Sequence, residues 1–198
     1  MSKETRKALG IKRIKTRKRV VQRLSREEEQ RLIQHAYKDR CEHGLLIKTM
    51  FQTGARVSEF ANIKVEHFFF EELMILIDKG KGGKSRYVPI LPELAQELRT
   101  HLGGRGTGYL FETNRHMPYS PRRIQQIVKA TAERAKIKKR VYPHLLRHSV
   151  ATTLLERGMP IDQIQKFLGH SKLETTQVYA ESTTEMIKES YRRALAES

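Results

Sequence analysis

Leu168-Gly-His-Ser-Lys-Leu-Glu-Thr-Thr-Gln-Val-Tyr179 ends on a tyrosine, and upstream of it stands His144-Leu-Leu-Arg-His148. The two stretches bring His144, Arg147, His170 and the Tyr179 hydroxyl into residues 144–179. Phosphate chemistry without a metal needs such groups: a cation to hold the oxygens, proton carriers and a nucleophile. Each fragment alone says little. A Tyr at a helix end is ordinarily a core residue with a wet hydroxyl, and a His after a helix-ending glycine is ordinarily a cap. His144 and Arg147 are three apart and therefore share a helix face. His148 lies one position further round and reads as a packed structural histidine.

Two further stretches lie upstream. Thr53-Gly-Ala-Arg56-Val-Ser-Glu59 follows an apolar run, and Gly80-Lys81-Gly-Gly-Lys84-Ser-Arg86-Tyr-Val-Pro89 joins two strand-like runs. The glycine-rich stretch is not a nucleotide P-loop, since it lacks the GxxxxGK[ST] spacing and a following helix. On their own, Arg56 and Glu59 make a local salt bridge, and Lys81 is a solvated turn residue.

Composition narrows the partner. The chain has 198 residues and a net charge of +17, with a pI of about 10.2. That length suits one domain with a real core. The charge points to a polyanion: nucleic acid first, an anionic membrane second, with a ribosomal-type protein as the bland alternative. Apolar runs such as Leu73–Ile77 are too short to span a membrane, and no apolar stretch follows the basic N-terminus as in a signal peptide. The single cysteine, Cys41, excludes an internal disulfide and a Cys-rich zinc site. His35, His43, His101 and His116 are scattered without a carboxylate cluster, so no metal and no cofactor is expected.

Residues 1–23 carry ten Lys/Arg against one Glu. They read as a basic arm or linker: a phosphate-binding arm or a solvated linker remnant. Order is expected from Leu24. Ser25 with Glu28 forms a capping box, followed by an apolar face at Leu32, Ile33, Ala36 and Tyr37. Residues 43–53 read as a buried helix ended by Gly54, and a short helix follows from Val57 to Ile63. Leu73–Ile77 and Arg86–Ile90 read as strands across a glycine-rich turn. The remainder is helical: from Pro92 to Gly103, from Ser120-Pro121 onward, from Pro143 to Gly158, and over Ile161–Leu168, ended by Gly169. Capping boxes are expected at Ser171 with Glu174 and at Ser182 with Glu185. The fold class is mainly α with a small antiparallel β-sheet. The ordered domain spans 24–182, and a C-terminal helix spans 183–198.

The four motifs together, with the Arg147–His170 and His170–Tyr179 spacings, resemble the tyrosine recombinase family of phage integrases and Xer-type resolvases, from about Leu24 to Ala180. The resemblance implies the catalytic-domain fold of that family. It makes Arg56 and Arg147 the phosphate clamp, with Glu59 supporting Arg56. It makes Lys81 the general acid, with Lys84 as its rival, and places His144 and His170 beside the scissile phosphate. It makes Tyr179 the nucleophile, and Lys84 and Arg86 neighbouring DNA contacts. Arg122 and Arg123 belong to a second basic region, running on to Arg140, that reads either as a solvated face or as phosphate contacts.

The implied activity is site-specific DNA recombination or integration: cleavage and rejoining of double-stranded DNA through a 3′-phosphotyrosyl intermediate, without metal or ATP. The alternatives are a type IB topoisomerase-like relaxation and a non-enzymatic DNA-binding protein of the same fold. The resemblance further implies a tetramer on DNA, a monomer in free solution and a cytoplasmic, DNA-associated location. It also implies exchange of the terminal helix between protomers, with packing on its own domain as the alternative. Family members carry an N-terminal helical domain that clamps the far side of the DNA. The length here leaves no room for one, so a fragment or a single-domain recombinase, such as the fimbrial invertases, is expected.

Overall fold

The computed structural model describes residues 23–78, 85–169 and 180–196, with side chains over 187–195 in the last stretch. It is mainly α-helical with one small antiparallel sheet. Helix α1 (Arg26–Asp39) opens on the expected capping box: Ser25 Oγ accepts from the Glu28 amide at 3.2 Å, and the Glu28 carboxylate accepts from the Ser25 amide at 2.7 Å. Lys139 straps this entrance down, donating to the Arg23 carbonyl at 2.6 Å and pairing with Glu28 at 2.7 Å. The Leu24 amide donates to the buried Ser149 Oγ at 2.9 Å.

Helix α2 (Cys41–Thr53) is buried over nearly all of its length, as its apolar composition requires. Gly54 ends it in the left-handed conformation, φ 55°, with its amide on the Met50 carbonyl. Helix α3 (Val57–Ala61) follows and stops two residues short of Ile63. A 3-10 turn (Val65–His67) then leads into the sheet.

The sheet has three strands in the order β1 (Phe68–Phe69), β2 (Met74–Ile77) and β3 (Arg86–Pro89), all antiparallel. Its register pairs Phe69 with Met74 and Ile77 with Arg86. Leu73, expected to start a strand, instead takes φ 55° in the turn before β2. Along β3, Arg86 and Val88 face inward and Tyr87 outward, the period-two alternation of a half-buried strand.

Helix α4 (Pro92–Leu102) buries Leu94, Ala95, Leu98 and Leu102, and Gly103 ends it at φ 56°. Helix α5 (Pro121–Arg134) is capped by Ser120 Oγ on the Arg123 amide and buries Ile124, Ile127 and Val128. Helices α6 (Pro143–Glu156) and α7 (Ile161–Leu168) complete the body, with Gly169 at φ 69°. The last helix, α8, covers Ala180–Ala196, so Ser182 lies inside it and is not its cap. The expected box at Ser171 falls outside the described residues.

Helix α8 lies on its own domain. Ile187, Tyr191 and Ala194 are buried, the Tyr191 hydroxyl donates to the Gln52 carbonyl at 3.0 Å, and its ring centroid is 5.6 Å from that of Phe167. Arg157 donates to the Ala194 carbonyl. Of the expected apolar stripe, Ile187, Tyr191 and Ala194 are thus buried within the single chain, while the Met186 side chain lies outside the described residues.

Two helix-ending glycines separate conformational cost from crowding. Gly103 has open space around a hypothetical Cβ, whereas at Gly54 that atom would lie 2.9 Å from Leu168 Cδ2 and 3.2 Å from both Phe167 and Val150. Gly103→Ala should cost about 1 kcal/mol, the left-handed penalty alone. Gly54→Ala should cost roughly 2–4 kcal/mol, because overpacking adds to that penalty. Denaturant midpoints of the two variants check this, and equal losses would refute the crowding at Gly54.

Candidate active site

The turn at Gly54 delivers Arg56 to the start of α3, and the helix repeat returns Glu59 beneath it. The Arg56 amide donates to Glu59 Oε2 at 2.9 Å, and Arg56 Nη1 lies 2.7 Å from Oε1. From β3, Arg86 Nη2 reaches Glu59 Oε2 at 3.0 Å while its Nε donates to the Phe167 carbonyl at 2.7 Å. From α6, Arg147 Nη1 donates to the Gly54 carbonyl at 2.5 Å and Nη2 to the Leu168 carbonyl at 2.6 Å. Arg147 Nη1 stands 4.0 Å from Glu59 Oε2. One carboxylate thus gathers three guanidiniums from three separate elements.

Depth sorts these groups. Arg147 is 4% exposed, Glu59 7% and Arg86 9%, whereas the Arg56 side chain is 43% exposed. Burial pushes the Glu59 carboxyl up, but hydrogen bonds from Arg86 and from the Arg56 amide and side chain outweigh it and hold it down at about 2. Arg147 is lowered to about 10, first by burial and then by repulsion from Arg56 and Arg86. It remains charged at neutral pH. Among the described residues its two carbonyl bonds use two of five N–H donors, which leaves donors beneath half-exposed Arg56. Such a pair can hold a tetrahedral anion through bidentate contacts that lysine cannot make.

His144 lies in the first turn of α6, exposed, on a groove of about 1150 Å³. Arg122, Lys129, Lys138, Arg140 and Tyr142 also line that groove. Arg123 is exposed on α5 but is not among its lining residues. His148 is half-buried, and its Nε2 has no hydrogen-bond partner among the described residues. Lys81, Lys84, His170 and Tyr179 lie outside the described residues. Their neighbours do not: β2 and β3 lead into and out of 79–84 beside Arg86, and Gly169 packs on the Arg86 side chain.

Arg86, which the resemblance makes a DNA contact beside Lys84, is buried, its guanidinium bonded to the Glu59 carboxylate and the Phe167 carbonyl. The signal was in the strand alternation, since Arg86 has the parity of Val88 and must face the same way.

A phage integrase family model matches residues 22–186. The chain belongs to that family. Among its relatives is the tyrosine recombinase XerA of Pyrococcus furiosus, 40% identical over 176 residues, which cover 86% of this chain and 61% of the relative. The tyrosine recombinase XerC of Anoxybacillus flavithermus is 36% identical over 74% of this chain and 52% of its own length. The chain spans about three fifths of the length of the first curated relatives it matches. A crystal structure of XerA recombinase superposes with a TM-score of 0.70 at 31% identity, covering 86% of this chain and 65% of that one. The integrase of mycobacterium phage Brujita gives a TM-score of 0.72 at 25% identity, with coverage of 94% and 62%. A XerH recombinase bound to its difH substrate gives 0.67 at 25% identity over 82% of this chain and 53% of that one.

The integrase-family cluster carries its own acid test. Glu59 sits near 2 when folded against an ordinary value of 4.5. A depressed carboxylate contributes stability that is whole above about pH 4.5 and is lost as pH falls toward 2. Glu59→Gln should therefore be destabilised at neutral pH by roughly 3–5 kcal/mol, having left buried guanidiniums uncompensated. Its stability should also fall less steeply than the wild type's between pH 5 and 3. Urea titrations across that range check both, and parallel pH dependences would remove Glu59 as the acid-sensitive group.

Proposed function

We propose that this chain is the catalytic domain of a site-specific DNA recombinase that cuts and rejoins duplex DNA through a 3′-phosphotyrosyl intermediate. The observation that carries the reading is the Arg56–Glu59–Arg147 cluster, together with a groove lined by Arg122, Lys129, Lys138 and Arg140 and by Val57 and His144 of the same two helices, α3 and α6. XerA and XerC among its relatives bear the tyrosine recombinase name, and structural neighbours include XerH bound to difH and a lambda integrase tetramer bound to a Holliday junction.

In this reading Arg56 and Arg147 hold the two non-bridging oxygens of a DNA phosphate and stabilise the charge of the five-coordinate transition state. The Tyr179 oxygen attacks phosphorus as its proton leaves to a neighbouring base. The bond to the 5′-oxygen breaks, and Lys81 protonates that oxygen, giving a free 5′-hydroxyl. The 5′-hydroxyl of a partner strand then attacks the phosphotyrosyl bond and returns the tyrosine. His144 and His170 donate hydrogen bonds beside the phosphate. No phosphate bond is lost in the cycle, so it runs without ATP.

Four protomers on two duplexes would carry out the exchange, the free protein being a monomer. The working place is then the cytoplasm, on DNA. No helix among the described residues is long and apolar enough to cross a membrane.

The deciding experiment is a nicked suicide duplex, chosen from a random-sequence pool by binding to the protein and assayed for a covalent adduct. Wild type should form a phosphotyrosyl adduct. Tyr179→Phe should form none while binding DNA as before. An adduct that survives in Tyr179→Phe would move the nucleophile elsewhere, and binding without any adduct would leave a DNA-binding protein. Relaxation of plasmids lacking the selected site would instead indicate topoisomerase-like work.

The clamp makes a separate prediction. Arg147→Lys keeps the charge but loses the two-pronged donor, so single-turnover cleavage should fall by on the order of 10²-fold or more with little change in DNA affinity. Unchanged cleavage would leave Arg147 a structural arginine.

A further inference from the structure

Arg86 touches three parts of the site at once. It leaves β3 beside 79–84, paired across the sheet with Ile77. Nη2 lies 3.0 Å from Glu59 Oε2, and Nε donates to the Phe167 carbonyl at 2.7 Å. Gly169 lies against the same guanidinium, so closely that a Cβ there would be 3.0 Å from Arg86 Cδ and 3.0 Å from Nη1. Nη1 itself is buried without a hydrogen-bond partner among the described residues. Losing one partner of a buried ion pair costs stability by itself, so a role for Arg86 beyond stability has to show in the geometry it imposes on Glu59.

The geometry shows what the arginine prevents. Glu59 has two oxygens. Arg56 Nη1 takes Oε1, while the Arg56 amide and Arg86 Nη2 take Oε2. Arg147 waits 4.0 Å from that second oxygen, with its own donors on the Gly54 and Leu168 carbonyls. Remove Arg86, and the carboxylate is free to close on Arg147. That would draw the guanidinium off its two carbonyls and loosen Arg56 as well.

We propose that Arg86 is a positioning residue for the strand-transfer reaction. It holds Glu59 on Arg56 and away from Arg147, and it ties the strand that follows 79–84 to the end of α7. The inference rests on the recombinase reading of the site. A displacement of about 1 Å in a group that must meet a transition state costs on the order of 10²-fold in rate. Among the described residues the charged groups facing Glu59 are Arg56 from α3, Arg86 from β3 and Arg147 from α6. Arg86 supplies the first of the hydrogen bonds that hold the Glu59 carboxyl down against burial. Without it, Glu59 must titrate at a higher pH, and cleavage must acquire an acid limb that moves with it.

The test compares wild type, Glu59→Gln, Arg86→Met, Arg86→Lys and the double variant Glu59→Gln/Arg86→Met. Four quantities are read: thermal midpoint, DNA affinity, single-turnover adduct formation from pH 4 to 8, and the Glu59 carboxyl titration by carbon NMR on the free protein. Arg86→Met should bind DNA within about threefold of wild type and form adduct on the order of 10²-fold more slowly. Its Glu59 titration and the acid limb of its rate should shift upward together. Arg86→Lys restores the charge but not the fork, so it should recover only part of the rate. The double variant should be no slower than Glu59→Gln alone.

A wild-type rate and an unshifted pH profile in Arg86→Met would overturn the proposal. So would a rate loss that merely follows loss of folding or of DNA affinity. If Arg86→Met does not fold, Arg86→Lys carries the same comparison. If wild type forms no adduct on any DNA, the recombinase reading fails by itself. The Glu59 titration then still judges Arg86, and an unshifted value refutes the positioning role.

Discussion

Among the described residues, the Glu59 carboxylate is the negative charge around which the site is built. Three guanidiniums converge on it from α3, β3 and α6, and a single carboxylate cannot neutralise them. The remainder is met by backbone. Arg147 sits on the Gly54 and Leu168 carbonyls and Arg86 on the Phe167 carbonyl, which are the C-terminal ends of α2 and α7. Helix C-termini carry unpaired carbonyls and a partial negative charge. Two helices thus point their negative ends into one cationic cluster. Each of those two helix ends closes on a left-handed glycine, Gly54 and Gly169.

This arrangement explains why the cluster is rigid and yet still open to an anion. Arg147 Nη1 and Nη2 and Arg86 Nε rest on carbonyls that cannot move without unwinding a helix. The half-exposed Arg56 is held only at one end of its fork among the described residues. Preorganised donors of this kind need not reorient as charge develops on a bound phosphate.

Much of the fold was legible in the chain because local chemistry writes it there. Ser25 with Glu28, Ser120-Pro121 and the glycines at 54, 103 and 169 act at their own positions, and the structure uses each as read. What was not legible depends on partners distant in sequence. β1 is two residues long, too short to show an alternation. Ser182 has the form of a cap, but the helix through it was already under way at Ala180. Arg86 has surface chemistry, yet the parity of its strand and an acid 27 residues earlier draw it inward. Tyr191 shows only an apolar stripe, and the Gln52 carbonyl that receives its hydroxyl lies 139 residues away. His144 and Arg147 share a face by spacing, but one is exposed and the other buried, a difference of depth that spacing does not encode.

The strap made by Lys139 fixes more than the start of α1. Lys139 also lines the basic groove, so the carbonyl it grips places Arg23 at the groove's edge. One ammonium is thus shared between the Glu28 carboxylate, the Arg23 carbonyl and the wall of the groove, so the entrance to α1 and the groove's rim are stitched together by a single cation.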